Sequence, residues 1–169
     1  MTRQHNSYGR DQINIENFHL TPSVSGQELL KQGLQLLSQK NYKAAIQLLS
    51  RVIISDPSLT ETYYYLAIAL LSGKKPKKVD EWTIKEIEEN LNLAIHKDSN
   101  PARCYALWAI IKHGFYAMNG FIENPLTSSQ LFSYGESIQA KDAKEILFHL
   151  DDPSNQYWLW LYNKFGKAH

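Results

Sequence analysis

Between Gly26 and Pro57 the apolar residues twice fall at helical spacing. Leu29, Leu30, Gly33, Leu36 and Leu37 recur at i, i+3, i+4 and i+7, which predicts a helix from about Gly26 to Gln39. Ser25, with Glu28 three residues on, reads as a capping box at its start. Lys40-Asn41 makes a turn, and Ala45, Ile46, Leu49, Val52 and Ile53 form the inner stripe of a second helix over about Tyr42 to Ser55. Asp56-Pro57-Ser58 stops that helix, because proline disfavours helical geometry in the residue before it. Gly33 and Ala45 are small enough to let two antiparallel helices approach closely.

The pattern then repeats with wear. A shift of 34 residues carries Leu29 onto Tyr63, Gly33 onto Ala67 and Leu36 onto Leu70, preserving size class each time. A further shift of 42 carries Tyr63 onto Tyr105 and Ala67 onto Ala109, and the eight extra residues have a home in the Gly/Pro/Lys loop from Ser72 to Trp82. The helix after that loop, about Glu81 to Lys97, uses Ile84, Ile87, Leu91, Ala94 and Ile95. A third pair opens at Pro101, a first-turn proline, followed by Tyr105, Trp108, Ala109 and Lys112. Past Met118 the register fades. Asn119-Gly120 and Asn124-Pro125 mark a longer loop, and Leu126 to Leu150 predicts one or two helices with a break near Gly135. Asp152-Pro153-Ser154 echoes Asp56-Pro57-Ser58. A last helix from about Ser154 to Phe165 puts Trp158, Leu161, Tyr162 and Phe165 on one face, as a cap to a stack would.

Leu29, Gly33, Leu36, Tyr42, Ala45, Leu49 and Pro57 together resemble the tetratricopeptide repeat family. The second repeat keeps Tyr63, Ala67, Leu70 and Ala94, but has Ile87 where a small residue is expected and Ser99 in place of the closing proline. The third keeps the pattern on its first helix only. The resemblance implies an all-α domain over residues 25–167. Its antiparallel helix pairs would stack as a short solenoid of about three repeats, the last ones degenerate, ending in the C-terminal capping helix. It also implies a non-catalytic protein–protein interaction scaffold, with the first helices of the pairs lining a concave groove. Carried over residue by residue, the groove positions are Gln27, Leu30, Lys31, Leu34 and Leu37; then Glu61, Tyr64, Tyr65, Ile68 and Leu71; then Arg103, Ala106, Leu107, Ile110 and His113. Leu34 and Tyr65 stand where some members use asparagine to clamp a terminal carboxylate, so this lining fits an apolar or amphipathic protein segment instead. So large an apolar lining does not normally face water unfilled. It would take a partner's segment, or the chain's own C-terminal helix or Ile13 to Leu20.

Residues 1–24 carry no helical stripe and read as a short extended or disordered tail. Within it Gln12, Ile13, Asn14, Ile15 and Phe18 alternate as a short strand would. This segment resembles the short Gly-led Gln-Ile-x-Ile segments at the ends of bacterial signalling and conflict-system proteins. The resemblance implies a second reading, a small bacterial adaptor that self-associates or recruits partners through this segment. Isoleucines flanked by Asn and Gln could form ladders in a cross-β stack, although Arg10, Asp11 and Glu16 would oppose it.

Composition removes several classes. A formal net charge of +1 gives no overall field for nucleic acid, which is disfavoured as a partner, and no apolar run approaches a membrane span. A single cysteine, Cys104, excludes an internal disulfide, and the polar first twenty residues lack a leader's apolar stretch; a cytoplasmic protein is expected. The six histidines show no i, i+4 pair for a metal, and no phosphate-binding or nucleophile-elbow motif occurs. No enzyme and no cofactor is expected. Cys104 reads as a packed thiol, and Glu86, Glu88 and Glu89 as a solvated face. Lys74-Lys75-Pro76-Lys77-Lys78 reads as a solvated loop, with contact to an acidic partner as the second reading, because Asp80, Glu81 and the following glutamates offset its field within a Debye length of about 8–10 Å.

Overall fold

The computed structural model of the chain describes residues 24–167, which form eight α-helices and no strand. They are α1 (Gly26–Ser38), α2 (Tyr42–Ser55), α3 (Glu61–Leu71), α4 (Glu81–Lys97), α5 (Pro101–Phe115), α6 (Ser128–Gly135), α7 (Ala140–His149) and α8 (Gln156–Leu161). One π-helical turn, Tyr162–Gly166, continues α8. The expectations placed on Gln12, Ile13, Asn14, Ile15 and Phe18 lie outside the described residues.

Side chains at the helix starts satisfy amides that the helices leave unpaired. Ser25 Oγ accepts from the Glu28 amide at 3.2 Å, but Glu28 bonds forward to Gln32, so that box is only half made. The reciprocal box is at α6, between Thr127 and Gln130, where the sequence reading did not place one. Asp80 caps α4 through the Thr83 amide at 2.9 Å. Both Asp-Pro-Ser turns form in the same way, with the aspartate accepting from the serine two residues on: Ser58 N at 3.2 Å and Ser154 Oγ at 2.8 Å.

Consecutive helices pair as α1 with α2, α3 with α4 and α5 with α6. Gly33 meets Leu49 in the first pair, where an added Cβ would stand 2.9 Å from Leu49 Cδ2. In the third pair Gly135 does the same work. A Cβ there would lie 2.6 Å from the Ala106 backbone nitrogen, so Gly135 is a close-approach residue as well as the end of α6. The sequence reading found the family pattern on the first helix of the third pair alone; the close approach at Gly135 was not foreseen.

α3 and α5 are apolar almost all round. Thr62, Tyr64, Leu66, Ala67, Ile68, Ala69 and Leu71 are buried along α3, and ten residues of α5 are buried. A helix without a polar stripe must be covered on every side. α1, α2 and α4 cover part of this pair with single apolar stripes. Between α4 and α5, Glu88 accepts from Trp108 Nε1 and from Tyr116 Oη, both at 2.9 Å. The reading of Glu88 as solvated is thereby corrected, since it ties α4 to α5, whereas Glu86 and Glu89 are exposed. The lysine loop is not wholly solvated either. Pro76 and Val79 are buried, and Pro76 packs so closely on Gly114 of α5 that an added Cβ would come within 2.9 Å of it.

The C-terminal turn docks on α5 through buried Asn155. Its Nδ2 donates to the Ile110 carbonyl at 2.8 Å, while its Oδ1 accepts from the Tyr157 and Trp158 amides that open α8. The final helix starts later than expected because Asn155 caps it, and its last turn is π-helical rather than α-helical. No helix among the described residues is long and apolar enough to cross a membrane.

Candidate protein-binding groove

α7 lies across the inner face of the first helices of the pairs. Its Asp142 carboxylate stands 3.9 Å from Arg103 Nη1 on α5 and accepts from Asn100 Nδ2 at 2.7 Å. Glu145, Phe148 and His149 reach α1 and α3, sharing a recess with Leu34, Leu37 and Tyr65. His149 Nδ1 is 3.2 Å from Tyr42 Oη, and Lys40 Nζ sits 4.4 Å above the Phe148 ring. α7 supplies the covering that α3 and α5 require.

Most of the expected groove residues are therefore interior. Leu30, Leu37, Tyr64, Ile68, Leu71, Arg103, Leu107 and Ile110 are buried, and Leu34, Tyr65 and His113 are half-buried. The structure brings Leu34, Leu37 and Tyr65 together at one recess. His113 lies apart from them, edge-on to Tyr157 at 5.3 Å. Of the occupants weighed from sequence, the final helix docks on α5, and Ile13 to Leu20 lies outside the described residues; α7, which was not weighed, stands against this face beside Leu34, Leu37 and Tyr65.

Arg103, 8% exposed, acts within the fold. Its Nε and Nη2 donate to Asp98 Oδ2 at 3.0 and 2.8 Å, and the guanidinium lies 4.5 Å from the Tyr64 ring centroid. Burial alone would weaken its charged form, but the hydrogen bonds and charge of Asp98 outweigh burial and raise its pKa. Burial, reinforced by Asp98, pushes the neighbouring Cys104 thiol up to about 12, so it stays protonated at neutral pH. Burial likewise raises the Glu145 carboxyl, with Arg103 opposing. Among the described residues no three His, Cys, Asp or Glu side chains gather as metal ligands would.

Two recesses that share Phe148 in their walls remain open beside α7. The smaller, about 160 Å³, is the one that Leu34, Leu37 and Tyr65 share with Glu145, Phe148 and His149. The larger, about 450 Å³, lies between α7 and the C-terminal turn and is lined by Leu147, Phe148, Trp158, Tyr162 and Phe165 with Lys144, Asp151 and Lys167 at its edge. Phe148 belongs to both and is 51% exposed. Sequence reasoning missed Leu147 and Phe148. Their signal was their position outside the buried stripe Ala143–Ile146 of α7, two large apolar side chains on a face that should be polar. A third recess, about 520 Å³, is polar, with Lys97, Asp98, Arg103, Lys141 and Asp142 balancing one another in its walls.

His149 makes this face sensitive to acid. Burial, with Lys40 adding to it, lowers the imidazole pKa from 6.5 to about 4. The unfolded chain thus binds a proton that the folded one refuses between pH 6.5 and about 4. The stabilisation is complete above 6.5 and is lost as pH falls toward 4, at a rate of at most about 1.4 kcal/mol per pH unit. Urea unfolding at pH 7 and 5 should show this loss, and His149→Gln should flatten that part of the profile. An unchanged slope in the variant would mean that other groups carry it.

No family model, curated protein or solved structure matches this chain.

Proposed function

We propose that this chain is a non-catalytic protein–protein interaction scaffold of the tetratricopeptide-repeat type, whose binding surface is the apolar cleft around Phe148. Three helix pairs, two of them closed at a glycine, Gly33 on Leu49 and Gly135 on Ala106, support the repeat reading. The observation that carries the binding reading is the cleft itself. Leu147, Phe148, Tyr162 and Phe165 line about 450 Å³ of open apolar space, and Phe148 also lines the recess over Leu34, Leu37 and Tyr65. Exposed aromatics around a recess are what an amphipathic partner helix fills with its own apolar positions. Lysines at both edges, Lys144 and Lys167, would favour carboxylates flanking those positions.

The test is Phe148→Asp. Phe148 is half exposed, so the substitution should leave helicity by circular dichroism and the unfolding midpoint close to those of the parent. It should weaken capture of the partner from extract of the native cells at least tenfold, a change of about 1.4 kcal/mol. Equal capture by parent and variant would place the binding surface elsewhere.

A further inference from the structure

On a different part of the molecule, the loop from Ser72 to Trp82 presents lysines in a fixed geometry. Pro76 and Val79 are buried, and hydrogen bonds from the Lys78 and Val79 amides to the Lys75 and Pro76 carbonyls close a 3₁₀ turn between them. Anchored at two points, the loop turns Lys74, Lys77 and Lys78 outward, all three exposed. Among the described residues no carboxylate lies within ion-pair distance of these three. Lys75 alone is engaged, 3.8 Å from buried Asp152. The acids of the flanking segments direct their oxygens to other partners, and of these Glu81 is neutralised by a cation. Asp80 caps α4 through Thr83, Glu81 pairs with Lys85 at 2.8 Å, and Glu123 accepts from both Ser128 N and Ser128 Oγ.

An apolar patch lies beside these charges. Asn119 Nδ2 donates to the Lys77 carbonyl at 3.4 Å, which ties the loop after α5 to the lysine turn. That loop continues as Phe121 and Ile122, 55% and 89% exposed, with the Phe121 ring 5.8 Å from Phe115. Free positive charge next to exposed aromatic and aliphatic side chains is the complement of a segment that carries carboxylates and apolar residues together.

We propose that Lys74, Lys77 and Lys78, with Phe121 and Ile122, form a docking surface for an acidic, apolar-containing segment of a partner protein, separate from the Phe148 cleft. A narrow peptide can follow the lysines and leave the exposed Glu86 and Glu89 of α4 aside. An extended anionic bilayer has more of the exposed acids of α4 to meet than a narrow peptide has, which disfavours it.

The experiment probes an array of random 15-residue peptides with the full chain, the K74E/K77E/K78E variant and Ile122→Ser. In parallel, vesicles of phosphatidylcholine with phosphatidylserine are sedimented with each protein. Bound peptides should be enriched in Asp and Glu together with Leu, Ile or Phe, and the enrichment should fall as salt rises. The triple variant should lose the acidic enrichment at least tenfold, and Ile122→Ser should lose the apolar part while keeping the acidic part. Acidic enrichment that persists in the triple variant when Phe148→Asp has been added to remove the cleft overturns the proposal. So does vesicle binding that needs these lysines without any peptide enrichment, since the surface would then serve a bilayer. Phe148→Asp, run alongside, should leave the acidic enrichment intact; its loss there would assign the peptides to the cleft.

Discussion

Replacing Arg103 by alanine is expected to lower the unfolding free energy by about 3–5 kcal/mol. Asp98 and Asp142 have side chains only 5% and 9% exposed, and Arg103 is the cation within ion-pair distance of both. With the guanidinium gone, two carboxylates stay desolvated without a counter-charge, and Tyr64 and Tyr65 lose the cation above their rings. The loss comes from what is left behind rather than from the worth of the pair. A variant with no buried charge, R103M/D98N/D142N, should therefore recover at least half of it, because both amides can still accept the Asn100 hydrogen bonds that the carboxylates accept now. Equilibrium urea unfolding reads both. A loss below about 1 kcal/mol in Arg103→Ala would mean that water reaches these carboxylates and that Arg103 does not latch α7 to α5.

The position of Arg103 also shows where sequence reasoning runs out. Its placement on the inner face of the third pair came from the family resemblance, whereas the bounds of α2 and α4 were legible from spacing, because stripes, turns and caps are local signals. What faces that side chain is not local. Asp142 comes from 39 residues further along, on a helix whose own pattern says only that one side is apolar. Yet one non-local fact was written locally. The run Thr62 to Leu71 of α3 has no polar stripe, and a helix of that kind cannot border an open groove. The sequence reading of Tyr64, Ile68 and Leu71 as lining recognised that demand for a cover but assigned it to a partner, the final helix or Ile13 to Leu20, and did not consider α7. Glu88 failed for a similar reason. Its neighbours Glu86 and Glu89 are exposed, and only the three-dimensional approach of Trp108 and Tyr116 distinguishes it.

Gly135→Ala and Gly33→Ala make a matched pair with opposite expected outcomes, although both glycines sit at a helix–helix contact. At Gly33 the new methyl would meet Leu49 Cδ2 at 2.9 Å, the mobile end of a side chain that can turn away. The alanine also gains up to about 1 kcal/mol of helix propensity in the interior of α1, so the net change should stay within about 1 kcal/mol of zero. At Gly135 the methyl would meet the backbone of Ala106, N at 2.6 Å and Cα at 2.8 Å, and a helix backbone has no rotamer to change. Relief requires α6 to move off α5, which parts Tyr134 from Tyr105, now 5.1 Å apart between ring centroids. Gly135 is also the last residue of α6, where propensity offers little in return. A loss of about 3 kcal/mol is expected, at the upper end for overpacking, with a change in near-ultraviolet circular dichroism from the displaced tyrosines. Equal losses at the two sites would show that α6 can shift freely, and Gly135 would then be only the end of a helix rather than the contact that closes the third pair.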